Sequence, residues 1–295
     1  MKNNKGIHVL ANIVLVLMAI AAILPLLLMV ASSFTDEQEL VARGYSLLPG
    51  NVSLDAYKYL FSGAGNILRS YGVTLFVTVF GTAMAIFLTV TLGYTLSVRD
   101  LPGRGALAFL VFFTMLFNGG LVPTYIMYSN TFHIKNTIWA LIIPALLLNA
   151  FNVILARSFF ETSIPPAIIE AARIDGASEI KILFSTVLPM SLPIMATLGL
   201  MIGLAYWNNW TNGLYYVTKK ELYSIQQLLT EIMRNIQVLQ SGQSGISAGD
   251  LVEQSIPSTS LRMAIAVAGV IPIMIIYPVF QKYFVKGMTL GAVKE

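Results

Sequence analysis

Six stretches of this sequence run for 18 to 28 residues without a single Asp, Glu, Lys or Arg: Leu10 to Ala31, Tyr71 to Val98, Leu107 to Tyr128, Thr137 to Ala156, Val187 to Tyr206 and Met263 to Phe280. A helix needs about 20 residues to cross a hydrocarbon core of roughly 30 Å. A charge at the bilayer centre costs about 2.5 to 3.5 kcal/mol even on insertion scales. The pattern predicts an all-α membrane protein with six transmembrane helices. Composition agrees, because only 11% of the 295 residues are charged and mean hydropathy is +0.75, whereas soluble domains carry about 25% charged residues.

The placement of Lys and Arg sets an orientation. With the N-terminus inside, the inner segments hold ten basic residues, Lys2, Lys5, Arg99, Arg104, Arg157, Arg173, Lys181, Lys282, Lys286 and Lys294, against eight outside. The inner segments are much shorter, so basic density favours both termini lying inside. The net charge of +4 is then a topogenic bias. No basic cluster is interleaved with aromatics, which argues against a nucleic-acid surface. The apolar run after Lys2 and Lys5 exceeds the 7 to 15 residues of a signal-peptide core, so an uncleaved first helix is expected. With no cysteine, disulfides, thiolate metal sites and a cysteine nucleophile are excluded.

Between the first two runs, Asp36, Glu37, Glu39 and the turn-rich Leu48 to Asn51 read as an ordered outer loop. The third run is interrupted by Asn118-Gly119-Gly120 and Pro123. Such breaks survive in a membrane where protein or a water-filled cavity satisfies the freed backbone groups, so this one lines a pathway or is a packing kink. Asn149 and Asn152 fall three apart, on one face of the expected fourth helix. They bind a substrate hydroxyl or hold a neighbouring helix. Trp207, Asn208 and Trp210 open the long outer segment and suit either an interfacial belt or a sugar, whose apolar face stacks on rings. Asn118, Asn149, Asn152, Trp207, Asn208 and Trp210 are thus the candidate substrate-pathway residues. Farther on, Tyr223 to Leu239 has the spacing of an amphipathic helix, and the Gly/Ser-rich Gln240 to Asp250 suits a docking segment.

The connection between the fourth and fifth runs carries a helix program of its own. Ser163 is a candidate cap, Pro165 and Pro166 suit a first turn, and Ala167 to Arg173 are good helix formers. Gly176 permits the bend that ends this helix, and Ala177 to Leu188 forms a second one entering the fifth run through Pro189. Two short helices at a glycine corner make a rigid protrusion. Its small Ala171 and Ala172 permit close contact, and Glu170 offers a charge-assisted hydrogen bond. An ordinary inner loop fits the same spacing.

Glu170-Ala171-Ala172-Arg173-Ile174-Asp175-Gly176-Ala177, followed by Phe184 and Leu188-Pro189, resembles the EAA loop of type I ABC importer permeases. Thr186 stands where that pattern usually has Ile or Val. The resemblance extends over nearly the whole chain, to the carbohydrate-uptake branch related to the maltose permease. Phe117 to Tyr125, Asn136 to Pro144 and Gln281 to Gly287 resemble a subgroup linked to complex oligosaccharides.

What the resemblance implies is one permease domain over residues 1–295, with core 71–284, first helix 10–31, coupling loop 161–189 and outer loop 207–261. It places the chain in the bacterial cytoplasmic membrane as a multi-pass protein. It implies a heterodimer with a second permease, two ATPase subunits, an extracellular solute-binding lipoprotein and a carbohydrate substrate moved by alternating access. Glu170, Ala171, Ala172, Asp175, Gly176 and Ala177 would couple to the ATPase. The chain has no Gly-Lys dipeptide and so no Walker A loop of the usual form. It is therefore read as a permease and not an enzyme, with no cofactor of its own, while ATP and Mg²⁺ belong to the partner ATPase. The alternatives are a non-sugar solute, a secondary transporter, which intramembrane acids would have signalled, or a scaffold without substrate.

Overall fold

The computed structural model describes residues 5–62, 64–240 and 258–292. The polar stretch from Ser241 to Asp250, together with Lys2 and Lys294, lies outside the described residues. Within them the structure is helical, with one isolated bridge between Thr35 and Val52. In chain order the helices are α1 (Lys5–Ser33), α2 (Glu37–Arg43), α3 (Asp55–Ser62), α4 (Ala64–Ser97), α5 (Arg104–Leu116), α6 (Leu121–Ile126), α7 (Trp139–Ile142) and α8 (Ala150–Ser163). They continue as α9 (Pro166–Ile174), α10 (Glu179–Ile182), α11 (Leu188–Met190), α12 (Leu192–Trp207), α13 (Thr211–Tyr216), α14 (Ile225–Gln240) and α15 (Ser258–Ala292). Single π-helical turns follow α6 at Met127–Thr131 and α10 at Leu183–Val187.

Among the described residues three helices are long and apolar enough to cross a membrane, namely α1, α4 and α15, and up to five crossings result if two bent pairs each count as one. The first pair is Arg104–Leu116 with Leu121–Thr131, bent by 115°. Gly120 makes that bend with φ 85 and ψ 169, a region open only to glycine, and Asn118 Oδ1 accepts its N–H at 2.9 Å. Pro123 falls in the first turn of α6, where its missing N–H costs little. The second pair, Glu179–Met190 with Leu192–Trp207, bends by 86° at Ser191. Pro189 and Pro193 withhold two helix donors there, and the buried Ser191 hydroxyl donates to the Val187 carbonyl at 2.6 Å.

The expected single helix over 137–156 is not found. It divides into α7 and α8 around Ala145, which holds a left-handed φ of 61. Pro144 has no N–H with which to continue the helix, and α7 is core, with Ala140, Leu141 and Ile142 all buried. A run that is apolar all round cannot reveal by its pattern whether lipid or protein surrounds it.

The chain groups into two compact units, one from Met1–Ile67 with Leu229–Pro272, the other from Leu68–Leu228 with Ile273–Glu295. In the first, no residue of the most apolar window of α1 is buried, as befits a helix apolar on every side. The acids Asp36, Glu37 and Glu39 each satisfy backbone donors. Asp36 caps α2 through the N–H of Gln38, and Glu39 accepts from Gly50 and Asn51 at 2.9 and 2.6 Å. Glu37 caps the distant α15, accepting from the N–H groups of Thr259 and Ser260, both at 2.8 Å. Burial alone would raise the Glu37 carboxyl, but these bonds outweigh it and hold it below the usual carboxylate range.

In the second unit α4 is the organising rod. A side chain on Gly81 would come within 2.7 Å of the Tyr206 ring of α12, and one on Gly93 within 2.9 Å of the Ala156 methyl of α8. Tyr206 is fixed there, donating its buried hydroxyl to the Ile142 carbonyl at 2.9 Å. Thr74 Oγ1 accepts from the Ile225 N–H at 2.8 Å, and twenty positions along the same helix Tyr94 donates to Glu179 at 2.7 Å. At 1.5 Å per residue these contacts lie about 30 Å apart, close to one hydrocarbon thickness.

Candidate coupling site

The candidate coupling corner begins where prolines end α8. Each residue before a proline is pushed to extended backbone, so Ile164 and Pro165 take ψ of 117 and 128, and α9 starts at Pro166. Ser163 is therefore the last residue of α8 and not the cap expected from its side chain. Ile164 is buried and anchors the turn.

Alpha9 ends in a Schellman turn. Gly176, at φ 78, donates to Arg173 O, and Ala177 donates to Ala172 O, both at 3.0 Å. This pairing satisfies the last carbonyls of a helix and favours glycine at the left-handed position. Ser178 then caps α10, its Oγ accepting the Lys181 N–H at 3.4 Å. The second helix thus starts at Glu179, two residues later than Ala177, because Ala177 completes the Schellman turn.

Ion pairs brace the corner. Arg173 Nε donates to Glu179 Oε1 at 2.7 Å across the two limbs, and Tyr94 donates to Oε2 of the same carboxylate. Tyr94 is buried and meets Phe160 of α8 edge-on at 6.4 Å. Nearby, Glu161 of α8 pairs with both Arg104 and Arg157, and Arg104 Nε also donates to Leu96 O at 2.7 Å. Both Glu161 and Glu179 escaped the sequence reading. Each lies within a charged segment between apolar runs, yet only the fold shows which arginine it meets.

Glu170, Ala171, Asp175 and Gly176 are exposed, while Ala172 and Ala177 turn partly inward against the core. Exposed apolar side chains flank them, with Ile174 at 87% and Ile180 at 72% exposure. A small groove of about 130 Å³ runs beside α9, with Arg99, Glu170 and Arg173 in its walls. The corner is a rigid, small-residue platform edged with apolar anchors, a surface shaped for protein contact.

The substrate-pathway candidates scatter. Asn118 holds the Gly120 turn, and Asn149 caps α8, its Oδ1 accepting from Phe151 and Asn152. Asn149 and Asn152 therefore do meet, as a cap and its first turn. Asn152 is buried and Asn208 closes α12. Trp210 is 41% exposed. Trp207 is buried and lines an apolar cavity of about 380 Å³ with Thr78, Thr82, Gly203 and Tyr277. The sequence reading missed Asn212, whose buried Nδ2 donates to Pro144 O at 2.9 Å. It also missed the amide of Asn136, which accepts from Thr218 N–H at 2.7 Å.

A two-limbed helical corner on a broken-span, all-helical scaffold defines an inner-membrane permease. The family model described as "Binding-protein-dependent transport system inner membrane component" matches residues 2–290, and the chain belongs to that family. It is 40% identical over 280 residues to the Bacillus subtilis polygalacturonan/rhamnogalacturonan transport system permease protein YtcP, covering 95% of each chain. It is 39% identical over 275 residues to protein LplC of the same organism, covering 92% of this chain and 89% of the relative. Among solved structures, a bacterial ABC transporter involved in import of the acidic polysaccharide alginate aligns with a TM-score of 0.81 at 29% identity, covering 96% and 98% of the two chains. The chain has the type I ABC importer permease fold and is a permease subunit of the bacterial cytoplasmic membrane.

Proposed function

We propose that this permease imports an oligosaccharide, of the acidic, uronate-containing class, in a complex with a second permease, two ATPase subunits and an extracellular solute-binding lipoprotein. The observation that carries the reading is the exposed corner Glu170 to Ala177, braced to the long helix α4 by Tyr94 and Glu179. Two of its relatives support the substrate class, since they are named for polygalacturonan/rhamnogalacturonan and for alginate.

In this reading the chain crosses the membrane six times with both termini inside, the run at 137–156 passing as the broken pair α7 and α8. The separation of about 30 Å between the Thr74 and Tyr94 contacts supports opposite faces for the Ile225 region and the corner. ATP and Mg²⁺ bind the ATPase. When its subunits close, the force enters at Glu170, Ala171, Ala172, Asp175, Gly176 and Ala177, and the Glu179 carboxylate passes it to α4. The pathway opens outward to accept sugar, for which Asn118, Asn149, Asn152, Trp207, Asn208 and Trp210 remain the candidate contacts.

The absence of cysteine makes a direct test simple. Single cysteines at the exposed Ile180 and Lys220 should label from opposite faces of oriented vesicles. The reconstituted assembly should take up oligogalacturonate only with ATP and binding protein. ATP-independent uptake, or labelling of both cysteines from one face, would overturn the reading.

A further inference from the structure

Two threonines on successive turns of α4 keep their hydroxyls unbonded. Elsewhere on that helix Thr74, Thr91 and Thr95 each donate to the carbonyl four residues back, at 2.8, 2.7 and 2.8 Å. The hydroxyls of Thr78 and Thr82 are buried with no partner among the described residues. Both residues line the apolar cavity of about 380 Å³ that Trp207 also borders. Their oxygens are hidden from it, so its wall is hydrocarbon. Every lining residue belongs to the second unit.

The cavity has the length of one leaflet. On α4 its lining runs from Leu75 to Ile86, about 16 Å at 1.5 Å per residue, against half of a hydrocarbon core of about 30 Å. It starts beside Thr74, whose bond to Ile225 marks one end of the membrane-deep stretch of α4, and stops near the middle of that stretch. Spread over this length, the volume has a cross-section of about 23 Å². A helix with its side chains is about 10 to 12 Å across and needs roughly 80 to 110 Å². The space therefore admits one extended alkyl chain and no helix. Its rim is formed by exposed Leu75 and Val79 of α4 and exposed Ile276 and Tyr277 of α15, its back by buried Gly199 of α12. A sugar would leave its hydroxyls unpaired against such a wall, and water finds too few polar partners there.

We infer that this cavity is a binding site for one acyl chain of a phospholipid, drawn from the leaflet on the Thr74 side. In the orientation given under the proposed function this is the outer leaflet, and only the choice of leaflet rests on that reading. An apolar cavity of about 150 Å³ already stays dry and takes up a benzene-sized guest, and this one is more than twice as large. The chain fills space that the side chains of α4, α12 and α15 leave empty, and restores the dispersion contacts that an empty wall forfeits. The lipid is then part of the packing of three helices and stabilises the assembly by mass action.

The test uses the complete assembly in liposomes whose phosphatidylglycerol carries a diazirine at mid-chain, with labelled peptides located by mass spectrometry. The parent should label at Thr78 to Ala83 and at Gly199 to Leu204, besides general labelling of α1, whose most apolar window has no buried residue. Gly203→Leu enters the cavity from α12 and Ala83→Leu from α4. Each should cut cavity labelling about tenfold, one decade of affinity, and leave α1 unchanged. A Cβ at Gly203 meets only Thr82 Oγ1, at 3.6 Å, so Gly203→Ala should label as the parent, which separates lost space from a damaged helix. After delipidation, added phosphatidylglycerol should raise the melting temperature of the parent and of Gly203→Ala, and not that of Gly203→Leu. Cavity labelling that survives both Leu variants would mean annular lipid only and overturn the site. A parent without cavity labelling would also overturn it, assigning the space to the partner permease, and displacement of the label by oligogalacturonate would assign it to sugar. Cavity labelling in an assembly without ATP-driven uptake would overturn the proposed function and leave the lipid site standing.

Discussion

Tyr94 and Glu179 lie 85 residues apart in sequence and 2.7 Å apart in space. Because Arg173 occupies the other oxygen of the same carboxylate, one acid joins α4 to both limbs of the coupling corner. Tyr94→Phe keeps the ring and removes the bond. Hydrogen bonds to charged groups contribute about 1.5 to 3 kcal/mol, and the 52% exposure of the Glu179 side chain reduces that to about 1 kcal/mol. ATP hydrolysed per sugar imported should rise. Tyr94→Phe and Glu179→Gln measured singly and together should couple by at least about 0.5 kcal/mol in thermal unfolding. Simple additivity would show that the two groups act independently.

Gly176 has open space around its missing side chain but a φ of 78. A substitution there is limited by backbone strain and not by collision. Gly176→Asn, which tolerates the left-handed region, should retain most ATPase association, whereas Gly176→Val should lose about 1 to 2 kcal/mol and uncouple uptake. Pull-down of the ATPase with each variant checks the order, and equal behaviour of Asn and Val would contradict it.

The corner was legible because its signals are local. Two prolines, a run of helix formers and a glycine act over a dozen residues, and the helix boundaries shifted by only one or two positions. Three of the six apolar runs, those in α1, α4 and α15, are single helices long and apolar enough to cross a membrane, and the other three are broken in ways their composition did not reveal. Whether a proline or glycine bends a helix depends on what satisfies the freed groups, as the buried α7 and the Gly120 turn show. The polar candidates were least legible. Asn149 and Asn118 looked like ligand groups, and their carbonyl oxygens are occupied by neighbouring backbone.

Glu37 carries a pH signature. Its burial would raise the carboxyl, but hydrogen bonds from Ser260 and Thr259 bring it below the ordinary 4.5. A lowered folded pKa means stability present above the unfolded value and lost as pH falls through the folded one. The parent should therefore melt at an unchanged temperature, as far as this group is concerned, from pH 7 to 5 and weaken below about 4.5. Glu37→Gln should lose about 0.5 to 2 kcal/mol at neutral pH, the range for helix caps. It should also show a shallower decline in acid. Scanning fluorimetry in detergent reads both, and an identical acid slope would refute the assignment.

Gly81 faces a ring that cannot retreat, since Tyr206 is tethered to Ile142. Gly81→Ala should destabilise by about 1 to 3 kcal/mol through overpacking. Tyr206→Phe frees the ring, so the double variant should recover part of the loss. If Gly81→Ala melts like the parent, the close approach of α4 and α12 is not a constraint.

The cap that Glu37 places on α15 has a consequence for how the chain is made. The carboxylate and the amides it serves are separated by 222 residues. At about 5 to 20 residues per second a ribosome needs roughly ten to forty-five seconds to supply them. During that interval the first helix is already in the bilayer and its acidic neighbour has no helix end to close. Truncated nascent chains ending before Thr259 should accordingly leave the α2 region open to protease, and the last helix should act as the clasp that finishes insertion.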